Sequence, residues 1–500
     1  MELESVRKSF MDRLSQIRGL EYAGNVVYWD LATGAGSRGI DARSRAFGVL
    51  SSQTQMMMMS EAFLSELEIL ELNMSNLEAQ DAMIVKEARY QLDRISKIPM
   101  NEYREYIELT SKATVAWEEA KSEADFEMFA PYLKEIVEYK RKFADYFGYD
   151  DHPYNAHLED FERGMTVKVL DEFFEELKAT IVPIVKAINE KNEQPMDDFL
   201  YLSYPIENQK VVSEKILYTI GFDKEAGTLS ESEHPFTLAL DTSDVRLTTH
   251  YYQNHLTSSL FSTIHEGGHG IYEQNFSDSI AGTILADGSS AGIHESQSRL
   301  YENNLGRSEA FWSYFYPELQ SKFKKQLDCV KLPMFVEAIN KSVPSLIRVE
   351  ADELTYSLHI MVRYELEKAL MDGELEVKDL QSAWNGKMQN YLGIVPQNDA
   401  EGILQDVHWS DGLFGYFPSY ALGNAYAAQI EIALRESMDV DGYLRTGDYA
   451  PIKGWLAQNV HQYGLTKTAD EIIQIATGKS FNAKYYTEYL KEKFTKLYNL

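Results

Sequence analysis

The chain has 500 residues, 44% of them hydrophobic, with a formal net charge of -30 and a pI near 4.8. This charge excludes nucleic acid as a partner and argues against an anionic membrane surface, because both require a basic face. The apolar fraction is large enough to build an extensive core.

Cysteine usage and the N-terminal sequence bear on the compartment. Cys329 is the single cysteine, so the sequence excludes an intramolecular disulfide and a cysteine-rich zinc site, and it fits a reducing compartment. The first residues lack the apolar segment of a secretory signal, and no window approaches eighteen uncharged apolar residues. We therefore expect a cytoplasmic protein without a membrane partner.

The first 230 residues have helical periodicity. Apolar residues recur at steps of three and four, for example through Phe126–Phe147 and Val167–Asn189. The 13 prolines, Pro183 among them, fall mostly between such segments. The methionine run Met56–Met59 favours a buried helix face over a soft substrate contact.

The stretch from Pro235 to Tyr252 differs from its surroundings. It predicts two short strands around a turn at Asp241–Asp244, leading into a helix. Helical patterns resume at Ser289, and no Pro/Gly/Ser linker interrupts the chain. We expect a mainly α fold over residues 1–500, as one large domain or as two lobes around a cleft.

The helix after the strands carries the sequence His265-Glu266-Gly267-Gly268-His269. Residues four apart on a helix share a face, so two imidazoles at this spacing can bind one metal ion. Glu266 then lies near the open side of the ion as a candidate general base. The alternative is a helix with two ordinary histidines.

Three glycines favour the metal interpretation. Gly267, Gly268 and Gly270 each cost a helix about 1 kcal/mol relative to alanine. Their presence indicates that a second helix or a substrate approaches the backbone closely.

A catalytic zinc site needs a third protein ligand. Glu295, 26 residues after His269, is far enough along the chain to lie on a second helix against the first. His294 competes with it, but adjacent helical residues point about 100° apart, so only one of them can face the metal. Spacing favours Glu295.

The chain resembles the carboxypeptidase Taq family of metallocarboxypeptidases through an ordered set of motifs. They are His234-Pro235-Phe236, Asp244-Val245-Arg246-Leu247-Thr248, His265 to His269, His294-Glu295-Ser296-Gln297, Ile347-Arg348-Val349-Glu350-Ala351-Asp352 and Gly402-Ile403-Leu404-Gln405-Asp406-Val407-His408-Trp409.

This resemblance implies a mostly helical zinc-peptidase fold with a deep groove and a homodimer. It also implies His265, His269 and Glu295 as zinc ligands and Glu266 as general base. The residues predict one zinc ion per chain, which cobalt can replace because nitrogen and oxygen ligands discriminate weakly between the two.

Peptide hydrolysis needs a hydrogen-bond donor for the developing oxyanion in addition to the metal. His408 and Tyr420 are candidates, similar to the His and Tyr donors of helical zinc oligopeptidases. The alternative for Tyr420 is a core tyrosine, because it lies among Tyr416, Phe417 and Tyr426 in the sequence. Asp406 and Asp352 are candidates to orient a ligand imidazole.

An exopeptidase must also recognise the substrate's terminal carboxylate, which arginine binds through two hydrogen bonds. Arg246 on the predicted strand and Arg348 among acidic neighbours are candidates, and each has a structural ion pair as its alternative. We expect His234 near the cleft, without an assigned role.

Together these features predict a zinc carboxypeptidase that releases single C-terminal residues from peptides with broad specificity. The near alternative is a zinc oligopeptidase or dipeptidyl carboxypeptidase on a similar helical scaffold. The distant alternative is a non-enzymatic helical binding protein with a vestigial metal site.

Overall fold

The N-terminal part of the chain is helical in the computed structural model, which describes residues 3–191 and 194–500. Its α-helices are α1 (Leu3–Thr33), α2 (Ile40–Met58), α3 (Glu61–Leu72), α4 (Ala79–Ser96), α5 (Met100–Glu123), α6 (Ala130–Phe147), α7 (Asn155–Leu158), α8 (Val167–Asn189) and α9 (Ile206–Thr219).

Periodicity located these helices well, with two corrections. Pro183 lies inside α8 and not between helices, and α8 continues through it with Ile181, Ile184 and Val185 buried on its apolar face. Met56 is 67% exposed, so a buried face is wrong for that residue. Met57–Met59 are partly buried against the core.

A small sheet follows the helices. Its strands are β1 (Gly227–Glu231), β2 (Thr237–Asp241) and β3 (Asp244–Thr249), in the order β1-β3-β2. The predicted hairpin is confirmed as β2 and β3, which pair antiparallel. β1, which pairs parallel with β3, was not predicted. Its Gly-Thr-Leu-Ser-Glu sequence has low strand propensity, so pairing with a distant segment determines its conformation.

Helices fill the rest of the chain. They are α10 (Leu256–Glu273), α11 (Ala291–Arg299), a π-helical segment (Leu300–Leu305), α12 (Glu309–Lys322), α13 (Lys324–Leu327), α14 (Leu332–Ile339), α15 (Tyr356–Asp372), α16 (Leu380–Leu392), α17 (Phe417–Ser437), α18 (Val440–Thr446), α19 (Ala450–Asn459), α20 (Ala469–Thr477) and α21 (Lys484–Tyr498).

The centre of the fold is a layer of three helices. α11 lies between α10 and α17, and α10 also packs on α9 and β3. Buried apolar side chains from Phe10 in α1 to Tyr498 in α21 belong to one connected core. Within the part of the chain that the structure describes, no helix is both long and apolar enough to cross a membrane.

Candidate active site

The glycines of α10 allow α11 to approach its backbone. A Cβ atom on Gly268 would lie 2.6 Å from the carbonyl oxygen of Gln297 in α11. On the other side of α11, a Cβ on Gly423 of α17 would lie 2.6 Å from the Cβ of Glu295. The expected close approach is therefore confirmed, and at Gly268 the approaching group is a second helix.

This packing brings together the three predicted ligands. Oε2 of Glu295 lies 3.6 Å from Nε2 of His265 and 3.4 Å from Nε2 of His269. One candidate donor atom from each residue lies within 4.8 Å of the other two. Donor atoms placed about 2.1 Å from one tetrahedral ion are about 3.4 Å apart, so nitrogen and oxygen donors with this spacing fit a zinc-like ion.

His294 lies behind this group of donors. Its Nδ1 is 2.5 Å from Nδ1 of His269, on the side of that ring opposite Glu295. Its Nε2 is 2.6 Å from Glu273. The geometry therefore favours Glu295 over His294 as the third ligand.

The carboxylate that orients His265 is Glu302, in the π-helical segment. Nδ1 of His265 lies 2.9 Å from Oε2 of Glu302. Arg299 donates to Glu295 at 2.6 Å and to Glu302 at 3.0 Å. Burial alone would raise the pKa of Glu302, but Arg299 and its other partners outweigh burial and lower it to about 2. Sequence reasoning missed Glu302, although its spacing of seven from Glu295 indicates the same helix face.

The two aspartates suggested for orienting an imidazole lie elsewhere. Asp406 accepts hydrogen bonds from Arg348 and Arg363. Asp352 accepts from the backbone N–H and the hydroxyl of Thr355. That interpretation was therefore wrong, because both carboxylates already hold other groups.

Glu266 is buried on the same helix beside the ligands. Its Oε2 accepts a hydrogen bond of 2.6 Å from the hydroxyl of Thr237 on strand β2. Burial raises the pKa of Glu266, against the influence of His265 and Thr237. A raised pKa suits a carboxylate that must take up a proton near neutral pH.

A cavity of about 270 Å³ lies between α1 and β2 beside Thr237. Its acidic lining residues are Glu21, Asp241, Glu273 and Asp287. The lining of this cavity therefore carries part of the chain's negative charge.

His408 and Tyr420 lie next to each other, with Nε2 of His408 3.4 Å from the Tyr420 hydroxyl. Tyr420 begins the face of α17 that also presents Gly423 to Glu295, three residues later. Burial lowers the pKa of His408 to about 4, and Arg348 adds to this, so its imidazole is neutral at pH 7. A neutral imidazole and a phenol can each donate one hydrogen bond.

Arg348 lies beside Tyr420 and is 6% exposed. Its Nε and Nη2 donate to Oδ1 of Asp406 at 3.0 and 2.8 Å, and its Nη1 donates to the Tyr356 hydroxyl at 3.2 Å. The centre of its guanidinium lies 5.1 Å from the Tyr420 ring. Arg363 bonds to the second oxygen of Asp406, so two guanidiniums share one carboxylate.

Arg246 and His234 occupy different surroundings. Arg246 forms a bidentate ion pair with Asp244 at 2.9 and 2.8 Å. Side chains alternate along β3, and the neighbouring residue Leu247 contacts α10 near Gly270. Arg246 therefore lies on the opposite face of the sheet, which is directed at α1, and its guanidinium is 5.8 Å from the Trp29 ring. His234 is exposed, and its carbonyl accepts a hydrogen bond from Ser232.

A buried carboxyl that sequence reasoning missed anchors the loop after His408. Glu367 of α15 accepts hydrogen bonds from Tyr154 at 2.6 Å, from the Trp409 indole at 2.8 Å and from the Gly415 backbone at 3.0 Å. Burial raises the pKa of Glu367 to about 7. An isolated glutamate in a helix gives no pattern from which this role can be read.

Comparison with known proteins agrees with the site. The family model for the carboxypeptidase Taq (M32) metallopeptidases matches residues 9–494. The chain belongs to this family. Carboxypeptidase 1 of Bacillus subtilis is 45% identical over 501 residues, covering 100% of both chains. Thermostable carboxypeptidase 1 of Thermus thermophilus is 35% identical, again over 100% of both.

The solved structures have the same fold. The M32 carboxypeptidase from Deinococcus radiodurans superposes with a TM-score of 0.96 at 32% identity, covering 99% of this chain and 100% of that one. The chain is thus an M32 metallocarboxypeptidase, and both the predicted family and the predicted mainly α fold are confirmed.

Proposed function

We propose that this metallocarboxypeptidase uses zinc, one ion per chain, to release single C-terminal residues from peptides with broad side-chain tolerance. The observation that carries the proposal is the position of Glu295 Oε2, which lies 3.6 Å from Nε2 of His265 and 3.4 Å from Nε2 of His269. Glu266 lies next to His265 on α10. His265, His269 and Glu295 would hold the ion. When bound, zinc supplies a Lewis acid that polarises the scissile carbonyl and makes water nucleophilic at neutral pH.

Glu266 is the proposed general base. It lies next to a ligand and accepts a hydrogen bond from Thr237, which holds its carboxylate in one orientation. It takes a proton from the attacking water and passes it to the leaving amine. Its raised pKa favours the first transfer.

Tyr420 and His408 are the proposed oxyanion donors. Burial raises the pKa of Tyr420 well above its usual range, so the phenol keeps its proton and can donate it in a hydrogen bond. On α17 it lies three residues before Gly423, which packs against Glu295, and this supports its proposed role.

Arg348 is the proposed anchor for the substrate's terminal carboxylate. Asp406 and Tyr356 hold its side chain, and the Tyr356 ring also contacts Arg299, which bonds to Glu295. Arg246, the other candidate, lies on the opposite face of the sheet, and His234 has no proposed role beyond a place near the groove.

Two further properties belong to the proposal. The acidic cavity beside Thr237, together with the deep groove that the family resemblance implies for one catalytic domain, would limit substrates to unfolded peptides. The protein would act in the cytoplasm as a homodimer; its single exposed thiol, Cys329, suits a reducing compartment. Light scattering that gives a mass near 57.3 kDa at all concentrations would contradict the dimer.

Metal analysis and product analysis test the proposal together. We expect about one zinc or cobalt ion per chain in the purified protein and almost none in His269→Ala. Mass spectrometry on a mixed peptide set should find free amino acids as the first products. Full metal content in His269→Ala would overturn the ligand assignment, and dipeptides as first products would favour a dipeptidyl carboxypeptidase.

A further inference from the structure

The two proposed ligand imidazoles are held by different groups. Nδ1 of His265 meets a carboxylate directly, that of Glu302 at 2.9 Å. Nδ1 of His269 instead meets Nδ1 of His294 at 2.5 Å. The far nitrogen of His294 then meets Glu273 at 2.6 Å. His269 is therefore backed by a second imidazole, and that imidazole is backed by a carboxylate.

Hydrogen-bond roles assign the protons in this chain of groups. His269 directs Nε2 at Glu295, so the hydrogen between His269 and His294 belongs to Nδ1 of His269 when Nε2 is a ligand. Nδ1 of His294 must then accept, and its proton must be on Nε2, where it faces the carboxylate of Glu273. This arrangement satisfies both short contacts.

Packing restricts the His294 ring to this position. The Tyr272 ring meets it edge-on, with centroids 5.2 Å apart and planes at 82°. A Cβ on Gly288 would lie 2.8 Å from its Cδ2, so the backbone of the loop before α11 packs closely on the ring. Glu273 is one helical turn beyond His269 on α10, and is itself buried.

We propose that His294 and Glu273 are positioning residues that fix the ring orientation and tautomer of His269. This inference rests on the proposed role of His269 as a metal ligand. His294 directly precedes Glu295 on α11, so one short helix would supply both a ligand and the group that orients another ligand. The arrangement would also raise the basicity of His269, because Glu273 strengthens His294 as an acceptor.

Metal affinity tests the inference without relying on turnover. Removing a group that orients a ligand typically weakens metal binding by about 10–100-fold. We expect that loss in His294→Ala when the protein competes with a chromophoric chelator for zinc. His294→Asn, whose amide oxygen lies near the position of Nδ1, should recover part of the affinity. Glu273→Ala should weaken binding more than Glu273→Gln, because glutamine still accepts from Nε2.

The cobalt-loaded protein provides a second readout. Its visible absorption depends on ligand geometry, so His294→Ala should change the spectrum. Glu302→Gln is the matched variant for the other ligand, because Glu302 contacts Nδ1 of His265. Wild-type zinc affinity and cobalt spectrum in both His294→Ala and Glu273→Ala would overturn the inference. If His294→Ala does not fold, unchanged affinity in Glu273→Ala alone overturns it. Full metal content in His269→Ala would instead refute the underlying ligand assignment.

Discussion

Two buried charge clusters meet in the site, and they differ in sign. The metal-side cluster contains three buried carboxylates, those of Glu266, Glu295 and Glu302. Arg299 bonds to two of them, and Arg307 bonds to Glu302 at 3.2 Å. Carboxylates outnumber guanidiniums there.

The arginine-side cluster has the opposite excess. Arg348 and Arg363 both bond to Asp406, one to each carboxylate oxygen. Burial opposes ionisation of Asp406, but the two guanidiniums outweigh it and hold its pKa well below its usual range. Two fixed cations therefore share one anion.

An uncompensated buried charge is costly, so each excess indicates what the cluster binds. Under the proposed assignment, a metal cation would complete the metal-side cluster, and an anion such as a substrate carboxylate would complete the arginine-side cluster. An endopeptidase needs only the first cluster. The proposed exopeptidase function needs both clusters, and Tyr356 lies between them, because its ring contacts Arg299 and its hydroxyl accepts a hydrogen bond from Arg348.

The largest expected effect comes from the metal-side cluster. Glu266→Gln should keep the metal and the fold but lose roughly 10²–10⁴-fold in kcat, because glutamine cannot take up the proton of water. Single-turnover kinetics with metal analysis measure this. Turnover near that of the wild type would mean that another group activates the water.

A smaller effect is expected from the arginine-side cluster. Arg348→Ala should lower kcat/KM on free-acid peptides. The expected loss of transition-state stabilisation is about 1.5–3 kcal/mol, the usual contribution of a hydrogen bond to a charged group. Any residual cleavage of C-terminally amidated peptides should change little. Kinetics on matched acid and amide peptides check this.

Arg246→Ala is the matched control, since it removes a half-buried cation from the α1 side of the sheet. We expect its ratio of acid to amide cleavage to stay at the wild-type value. A ratio altered in Arg246→Ala and unaltered in Arg348→Ala would reverse the assignment of the two arginines.

The last effect is on stability and concerns Glu367, which anchors the loop after His408. The pKa of Glu367 is about 7 in the fold against 4.5 as its ordinary value, so the folded state binds the extra proton between these values. The free energy of unfolding should therefore fall as pH rises from about 4.5 to 7, by about 2.5 kcal/mol for this group. Urea titrations across that range should give a flatter profile for Glu367→Gln. An unchanged slope would show that Glu367 does not retain its proton.

Sequence patterns predicted the metal side of the site better than the arginine side. Helical spacing made His265, Glu266 and His269 candidates, and distance along the chain favoured Glu295. Glu302 repeats on the same face and could have been found in this way. These are local relations, which periodicity encodes.

The arginine side depends on contacts between distant segments. The sequence left Arg246 and Arg348 equivalent, because each has a structural ion pair as its alternative. Only the sheet's alternation and the position of α1 separate them. Glu367 meets partners from two distant segments, and β1 is a strand only through its pairing with β3. Such relations carry no periodic signal.

The glycines on either side of α11 have a consequence for heating. Gly268 and Gly423 have no side chains, so the backbones of α10 and α17 lie directly against α11. Rotamer changes at these two positions therefore cannot alter the distances between the helices that position Glu295. We therefore expect catalysis to persist up to the temperature of global unfolding rather than to fade before it. Gly423→Ala should force the helices apart and lower the inactivation temperature below the melting temperature.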